Sequence, residues 1–263
     1  MSKVALITGG AGIASGIGLA TGQSLASKGW KIVIVDINPA GEKAAQDLGG
    51  VFHKTNVGDY DDLAQTFAKV WKEFGRLDFV FANAGIVEKA EFYKRYDSAL
   101  PAPLDMTILD INLKSVIATS YLALHFFRKN KISGGSLIIT SSCGGVYPIG
   151  YLPMYASAKH GCVGLTRSLA QTAYQAGIRV NCICPGSVST GLLKQEEWED
   201  FGKAEFTPIG KVVEAVEAFL EDETLYGMTA ELIQDRRYFR PPPEHWDPVM
   251  KRVIERTQAL SKI

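Results

Sequence analysis

Val4-Ala5-Leu6-Ile7-Thr8-Gly9-Gly10-Ala11-Gly12-Ile13-Ala14-Ser15-Gly16-Ile17-Gly18 decides the fold. A short apolar run enters a glycine-rich turn, and helical spacing follows from Gly16 to Lys28. Glycines in a strand-to-helix turn let the backbone approach a pyrophosphate, and the helix N-terminus attracts it. A lone turn of this kind is weak evidence. Here a second apolar run, Lys31 to Asp36, follows one helix later, so the turn sits within a β-α-β unit. Asp36 ends that run. A carboxylate there can accept hydrogen bonds from an adenosine ribose diol and would repel a 2′-phosphate. Ile37 and Asn38 come next, so no adjacent cation stands ready for such a phosphate. Lys31 weakens the argument only if its side chain reaches across.

The alternation continues outward. Val51 to Val57 and Asp78 to Ala82 read as strands, as do Ser136 to Thr140 and Arg179 to Cys184. Pro39 to Leu48 reads as a short helix, and Asp59 caps a helix to Phe74 with Asp61 and Asp62 in its first turn. Pro103 to Asn130 and Pro153 to Gln175 read as long helices. Continuous apolar strands alternating with helices imply a parallel sheet covered on both faces. The expected fold class is α/β, a doubly wound Rossmann-type sheet in a single domain. Its cofactor-binding part would span about residues 1–150 and its catalytic and substrate part about 140–263.

The 263 residues suit one such domain. Lysine plus arginine equals aspartate plus glutamate, 28 each, which supplies no bulk attraction to nucleic acid or an anionic membrane. The N-terminus turns glycine-rich too soon for a signal peptide or a membrane span. Cys143, Cys162, Cys182 and Cys184 form no Cys-x-x-Cys pair and have no histidine cluster, so neither a metal site nor a disulfide framework is expected. The thiols of Cys182 and Cys184 are expected on opposite faces of a strand, as small apolar residues. A reducing compartment, the cytoplasm, fits this usage.

Tyr155 and Lys159 stand four residues apart, with Ser142 thirteen before the tyrosine. Positions i and i+4 share a helix face. A cation beside a phenol favours the phenolate, which makes Tyr155 a candidate general acid/base. The Ser142 hydroxyl, arriving at a strand end, could hold a substrate oxygen. Tyr-x-x-x-Lys by itself is weak; its meaning comes from the surrounding pattern.

Together these pieces resemble the short-chain dehydrogenase/reductase family, over residues 3 to about 190. Asn83-Ala84-Gly85 resembles the family's Asn-Ala-Gly signature, which steadies the sheet beside the adenine-ribose side. The resemblance implies a proton relay through Asn112 and a catalytic set of Asn112, Ser142, Tyr155 and Lys159. It implies NAD as cofactor, held by Gly9, Gly16, Ile17, Gly18, Asp36, Ile37, Asn56, Val57, Asn83, Ala84 and Gly85. Tyr155 and Lys159 would also touch the cofactor, as would Pro185, Gly186, Val188 and Thr190. Residues 154 to 168 are most similar to the NAD-dependent 15-hydroxyprostaglandin dehydrogenase group. The expected activity is interconversion of a secondary alcohol and a ketone. The expected assembly is a homodimer or homotetramer, because the long helices of relatives pair between subunits.

The chain departs from the family pattern in three places. The glycine turn is three residues longer, with Gly12-Ile13-Ala14 as the insertion. Asn56-Val57 replaces the commoner Asp-Val. The Arg236 to Pro243 stretch has no counterpart, and Pro241-Pro242-Pro243 precedes a last amphipathic segment, Asp247 to Leu260. Val146, Tyr147, Ile149, Tyr151, Leu152 and Met154, with Leu192, Leu193, Trp198 and Phe201, are candidate pocket residues that would suit a moderately hydrophobic substrate. An NADPH-dependent ketoreductase is an alternative, as is a non-redox scaffold or cyclisation-directing protein. Ser261-Lys262-Ile263 resembles a peroxisomal address with a changed end.

Overall fold

The computed structural model describes residues 2–11, 16–89, 91–192 and 205–259. Seven parallel strands form the sheet: β1 (Val4–Thr8), β2 (Lys31–Asp36), β3 (Val51–Lys54), β4 (Phe79–Ala82), β5 (Gly135–Thr140), β6 (Ile178–Pro185) and β7 (Thr229–Ile233). An eighth, β8 (Arg236–Arg240), returns antiparallel along β7, so the sheet is parallel except at one edge. The order is β3-β2-β1-β4-β5-β6-β7-β8. Winding reverses between β1 and β4, which leaves a crevice beyond their C-terminal ends.

The central strands are buried on both faces, and every residue of β1 and β4 is buried, whereas β3 is half-buried and β8 exposed at the edges. Helices α3 (Tyr60–Phe74), α5 (Ser115–Arg128) and α6 (Pro153–Tyr174) close one core, with Leu63, Phe67, Phe126 and Phe127 inside. Helices α1 (Ile17–Ser27), α2 (Gly41–Asp47) and α7 (Ile209–Glu221) close the other, around Leu25, Ala45, Val216 and Phe219. Capping follows sequence closely at α3. Asp59 accepts from the N–H groups of Asp61 and Asp62, and Gly75 ends the helix at φ +64°, its N–H reaching Trp71 O.

Residues 103–130 are not one helix. Asp105 accepts from Thr107 N and Oγ1, so helix begins at Thr107 as a short turn, α4 (Thr107–Leu109). A π-helical turn, Asp110–Lys114, then precedes α5. β3 ends at Lys54 rather than Val57, because Asn56 Oδ1 accepts the Gly58 N–H and closes a turn. No strand was expected at β8 and no helix at α7, although Val212, Val216 and Phe219 of α7 repeat at helical spacing. The last amphipathic segment is helix α8 (Pro248–Ala259).

Cys182 and Cys184 share one face of β6, correcting the expectation of opposite faces: strand side chains alternate, so residues two apart coincide. Both join Cys162 of α6 in one core, and burial pushes the Cys162 and Cys182 thiols up. Among the described residues no group of three or more His, Cys, Asp or Glu could hold a metal ion, and no helix is long and apolar enough to cross a membrane.

Candidate active site

The crevice is stitched by one asparagine. Asn83, just past β4, donates from Nδ2 to Thr8 O at 3.2 Å and Gly9 O at 3.3 Å, and its Oδ1 accepts from Thr140 Oγ1 at 3.1 Å. Thr8 Oγ1 in turn accepts from the backbones of Asn83 and Ala84. The ends of β1, β4 and β5 are thereby joined. Gly9 adopts φ +68°, and a Cβ there would stand 2.8 Å from Ala84 Cα, so only glycine fits. Gly18 packs so tightly that a Cβ would stand 2.7 Å from Gly9 O, seating the first turn of α1 on the glycine turn. Gly16 precedes α1 in extended conformation and supplies no capping side chain; Gly12 to Ser15 lie outside the described residues.

Asp36 is half-buried and faces this turn. Its Oδ2 accepts from Ala11 N and its Oδ1 from Asn38 N, both at 2.9 Å. A carboxylate retains lone pairs beyond those two bonds. Lys31 lies at the other end of β2, about 16 Å away by strand rise. A different cation is close: Lys54, exposed on β3, is the register partner of Asp36. Nothing local in the sequence brings Lys54 there; only strand pairing does. Ile37 is exposed, as is Asn56, whose Oδ1 serves Gly58. Val57 is buried in the core.

The catalytic candidates meet at the C-terminal end of β5. Ser142 caps a tight turn, Cys143–Gly145, its Oγ accepting from Gly144 N at 3.1 Å. A Cβ on Gly144 would stand 3.5 Å from Tyr155 Cε1, so this turn faces the tyrosine ring. Ser141 Oγ donates to Lys159 O at 2.8 Å and ties the turn to α6. Lys159 is 4% exposed; its Nζ donates to Thr140 O at 3.0 Å and lies 5.7 Å from the Tyr155 ring centroid.

Asn112 sits in the π-helical turn, fully buried, and grips the backbone of Ile86 twice: Oδ1 accepts its N–H and Nδ2 donates to its O, each at 2.8 Å. A Cβ on Gly85 would stand 3.3 Å from Asn112 Oδ1 and 3.6 Å from Lys159 Nζ, so these groups converge on one glycine. A residue absent from the sequence expectations joins them. Glu88 is buried and accepts the Tyr155 N–H at 2.8 Å.

Pro185 and Gly186 close β6, with Gly186 N donating to Leu232 O. Val188 is buried in the second core, and Thr190 Oγ1 accepts from Leu192 N. Among the pocket candidates, Met154 is buried, Val146 packs on the first core and Tyr151 is exposed. Tyr147 donates to Glu231 Oε1 at 3.0 Å, which pushes its phenol up, and Arg240 bonds both partners. Leu193, Trp198 and Phe201 lie outside the described residues, as does Ser261-Lys262-Ile263. The 91–106 segment exposes Phe92, Tyr93, Tyr96 and Leu100, and Tyr93 Oη donates to Gly150 O at 2.6 Å, joining that segment to the loop before α6.

A family model described as short chain dehydrogenase matches residues 3–200. The chain belongs to the short-chain dehydrogenase/reductase family. The short-chain dehydrogenase/reductase prx7 of Penicillium rubens is 37% identical, over 94% of this chain and 98% of that protein. Human 15-hydroxyprostaglandin dehydrogenase [NAD(+)] is 40% identical, over 75% of this chain and 73% of its own. The crystal structure of levodione reductase superposes with a TM-score of 0.75 at 27% identity, covering 87% of this chain and 95% of that one. As a short-chain dehydrogenase/reductase, the chain is an enzyme of alcohol and ketone oxidoreduction that uses a nicotinamide cofactor.

Proposed function

We propose that this short-chain dehydrogenase/reductase oxidises a moderately hydrophobic secondary alcohol with NAD, reversibly, in the cleft framed by Gly9, Asp36, Gly85 and Tyr155. The carrying observation is the convergence of Tyr155, Lys159, Ser142 and Asn112 beside the winding-reversal crevice. The crevice suits a dinucleotide: a glycine backbone at φ +68° with no room for a side chain, then a helix N-terminus, then a carboxylate at the end of β2. Gly16, Ile17 and Gly18 would hold the pyrophosphate, and Asp36 the adenosine ribose. The Asn83-Ala84-Gly85 segment would border it, while Pro185, Gly186, Val188 and Thr190 would frame the nicotinamide. When bound, that group supplies hydride acceptance. Tyr155 takes the hydroxyl proton as general base. Lys159, its Nζ 5.7 Å from the Tyr155 ring centroid, would hold the nicotinamide ribose. Ser142 Oγ orients the substrate oxygen, and Asn112 holds the relay that restores the proton. General acid/base catalysis contributes about 10²–10⁴-fold. Tyr155→Phe is therefore expected to keep cofactor binding and lose at least about 10²-fold in kcat, followed at 340 nm on a panel of 2-alkanols and hydroxylated fatty acids. Turnover at the parental rate would remove Tyr155 from the mechanism.

An NADP-dependent reading is favoured by Lys54, the exposed register partner of Asp36, whose ammonium would be available to a 2′-phosphate. Asp36→Ala and Lys54→Ala separate the two. NAD dependence requires Asp36→Ala to raise KM for NAD with Lys54→Ala silent; NADP dependence requires Lys54→Ala to raise KM for NADP. Helix α5 leaves Ile117 and Tyr121 exposed one turn apart, which suits pairing between copies and supports the homodimer or homotetramer reading. A cytoplasmic location remains the reading of the cysteine usage.

A further inference from the structure

Helix α6 starts without a local cap. Leu152 offers no side-chain acceptor, Pro153 occupies the first position, and the first turn has no acidic residue. The early N–H groups of a helix have no intrahelical partner and must find one elsewhere. The N–H of Tyr155 finds Glu88, 67 residues earlier, with Oε2 accepting at 2.8 Å. Glu88 is only 8% exposed, and its Oε1 is buried with no hydrogen-bond partner among the described residues. A buried carboxylate is costly unless it is bonded, and a helix N-terminus is a favourable place for its charge. The described bond of this carboxylate therefore goes to the backbone of the proposed acid/base residue.

Glu88 also belongs to a segment that is already clamped. Two residues earlier, both backbone groups of Ile86 are bonded by Asn112. One residue before that, Gly85 approaches both Asn112 Oδ1 and Lys159 Nζ. The stretch from Gly85 to Glu88 is thus bonded to Asn112 and then to Tyr155, with Gly85 facing Lys159 Nζ. We propose that Glu88 is a positioning residue: its carboxylate fixes the first turn of α6 and thereby sets the phenol of Tyr155 against Lys159, Asn112 and Ser142. The inference rests on the reading of Tyr155 as the acid/base group. Glu88 acts through the tyrosine backbone and takes no proton from substrate.

Three variants test it, assayed with the panel alcohol that the parent oxidises fastest. Misplacing a reacting group by about 1 Å can cost about 10²-fold. Glu88→Ala is expected to lower kcat by about 10- to 100-fold. KM for NAD should rise much less than kcat falls, because Gly9 and Asp36, which would hold the adenosine end, lie elsewhere in the crevice. Glu88→Gln keeps an oxygen acceptor and is expected to restore most of kcat. Glu88→Asp keeps the charge but is one methylene short, and is expected to stay low. Hydrogen exchange at the Tyr155 amide should be slow in the parent and Glu88→Gln, and fast in the other two. Parental kcat in Glu88→Ala would overturn the proposal. So would Glu88→Gln as impaired as Glu88→Ala, or a rise in KM for NAD matching the loss in kcat. If Glu88→Ala fails to fold, the Asp and Gln pair decides: activity with Asp and none with Gln makes charge rather than the bond responsible, and the proposal falls. An active Tyr155→Phe would instead remove the underlying reading, whereas an inactive Tyr155→Phe beside a fully active Glu88→Ala would remove only Glu88. If the parent oxidises no panel alcohol, amide exchange alone tests the bond, and fast exchange in the parent overturns it.

Discussion

At the scale of residues, the site depends on close approach. Gly85 has an ordinary backbone conformation, so Gly85→Ala is tolerable for the chain; its new Cβ would nevertheless sit 3.3 Å from Asn112 Oδ1. We expect Gly85→Ala to reduce kcat while leaving the thermal midpoint within a few degrees, checked by parallel kinetics and thermal denaturation. His53 gives a second expectation. Its Nε2 is buried with no partner among the described residues, and burial, with Lys69 nearby, lowers its pKa below the ordinary 6.5. A group held neutral in the fold contributes stability that is present above its unfolded pKa and lost as pH falls below it, because the unfolded chain binds the extra proton. Stability should therefore decline from about pH 6.5 downward toward the depressed folded value, and His53→Phe should flatten that part of a midpoint-against-pH curve. Tyr155, Lys159, Ser142 and Asp36 were legible from spacing, because a helix face and a strand end are local geometry. Glu88 and Lys54 were not, since each reaches its partner through tertiary contact or strand pairing.

Among the elements, α3 shows how far local signals reach. Asp59 satisfies two orphan N–H groups, so Asp59→Ala should cost about 1 kcal/mol, measured by urea denaturation. The 103–130 stretch shows their limit. Its composition suits helix throughout, yet a π-helical turn occupies Asp110–Lys114. Such turns often mark functional positions, and here the turn carries the asparagine that grips Ile86. Apolar spacing does not reveal it, because the decisive partner, Ile86, lies on another segment.

For the molecule as a whole, the C-terminal hairpin is the part where resemblance ended and structure added most. Phe219 of α7 and Phe239 of β8 pack with ring centroids 5.4 Å apart, and Phe219 is fully buried. Phe219→Ala should therefore cost about 3–5 kcal/mol, seen as a fall in the denaturation midpoint. On the other face of the hairpin, Glu231 and Arg240 bond Tyr147, from the loop that also carries Ser142. Arg236, Arg237 and Arg240 place charge on an edge strand, which discourages pairing with another chain. The chain's own order of residues determined the alternation of strand and helix, the glycine turn and the shared face of Tyr155 and Lys159. Each follows from backbone periodicity and steric freedom within a few residues. Folding alone decided that Lys54 neighbours Asp36, that a buried glutamate caps the helix of Tyr155 and that Arg240 of an antiparallel strand bonds Tyr147. Those contacts follow from strand order and register, which bring together residues that no local repeat connects.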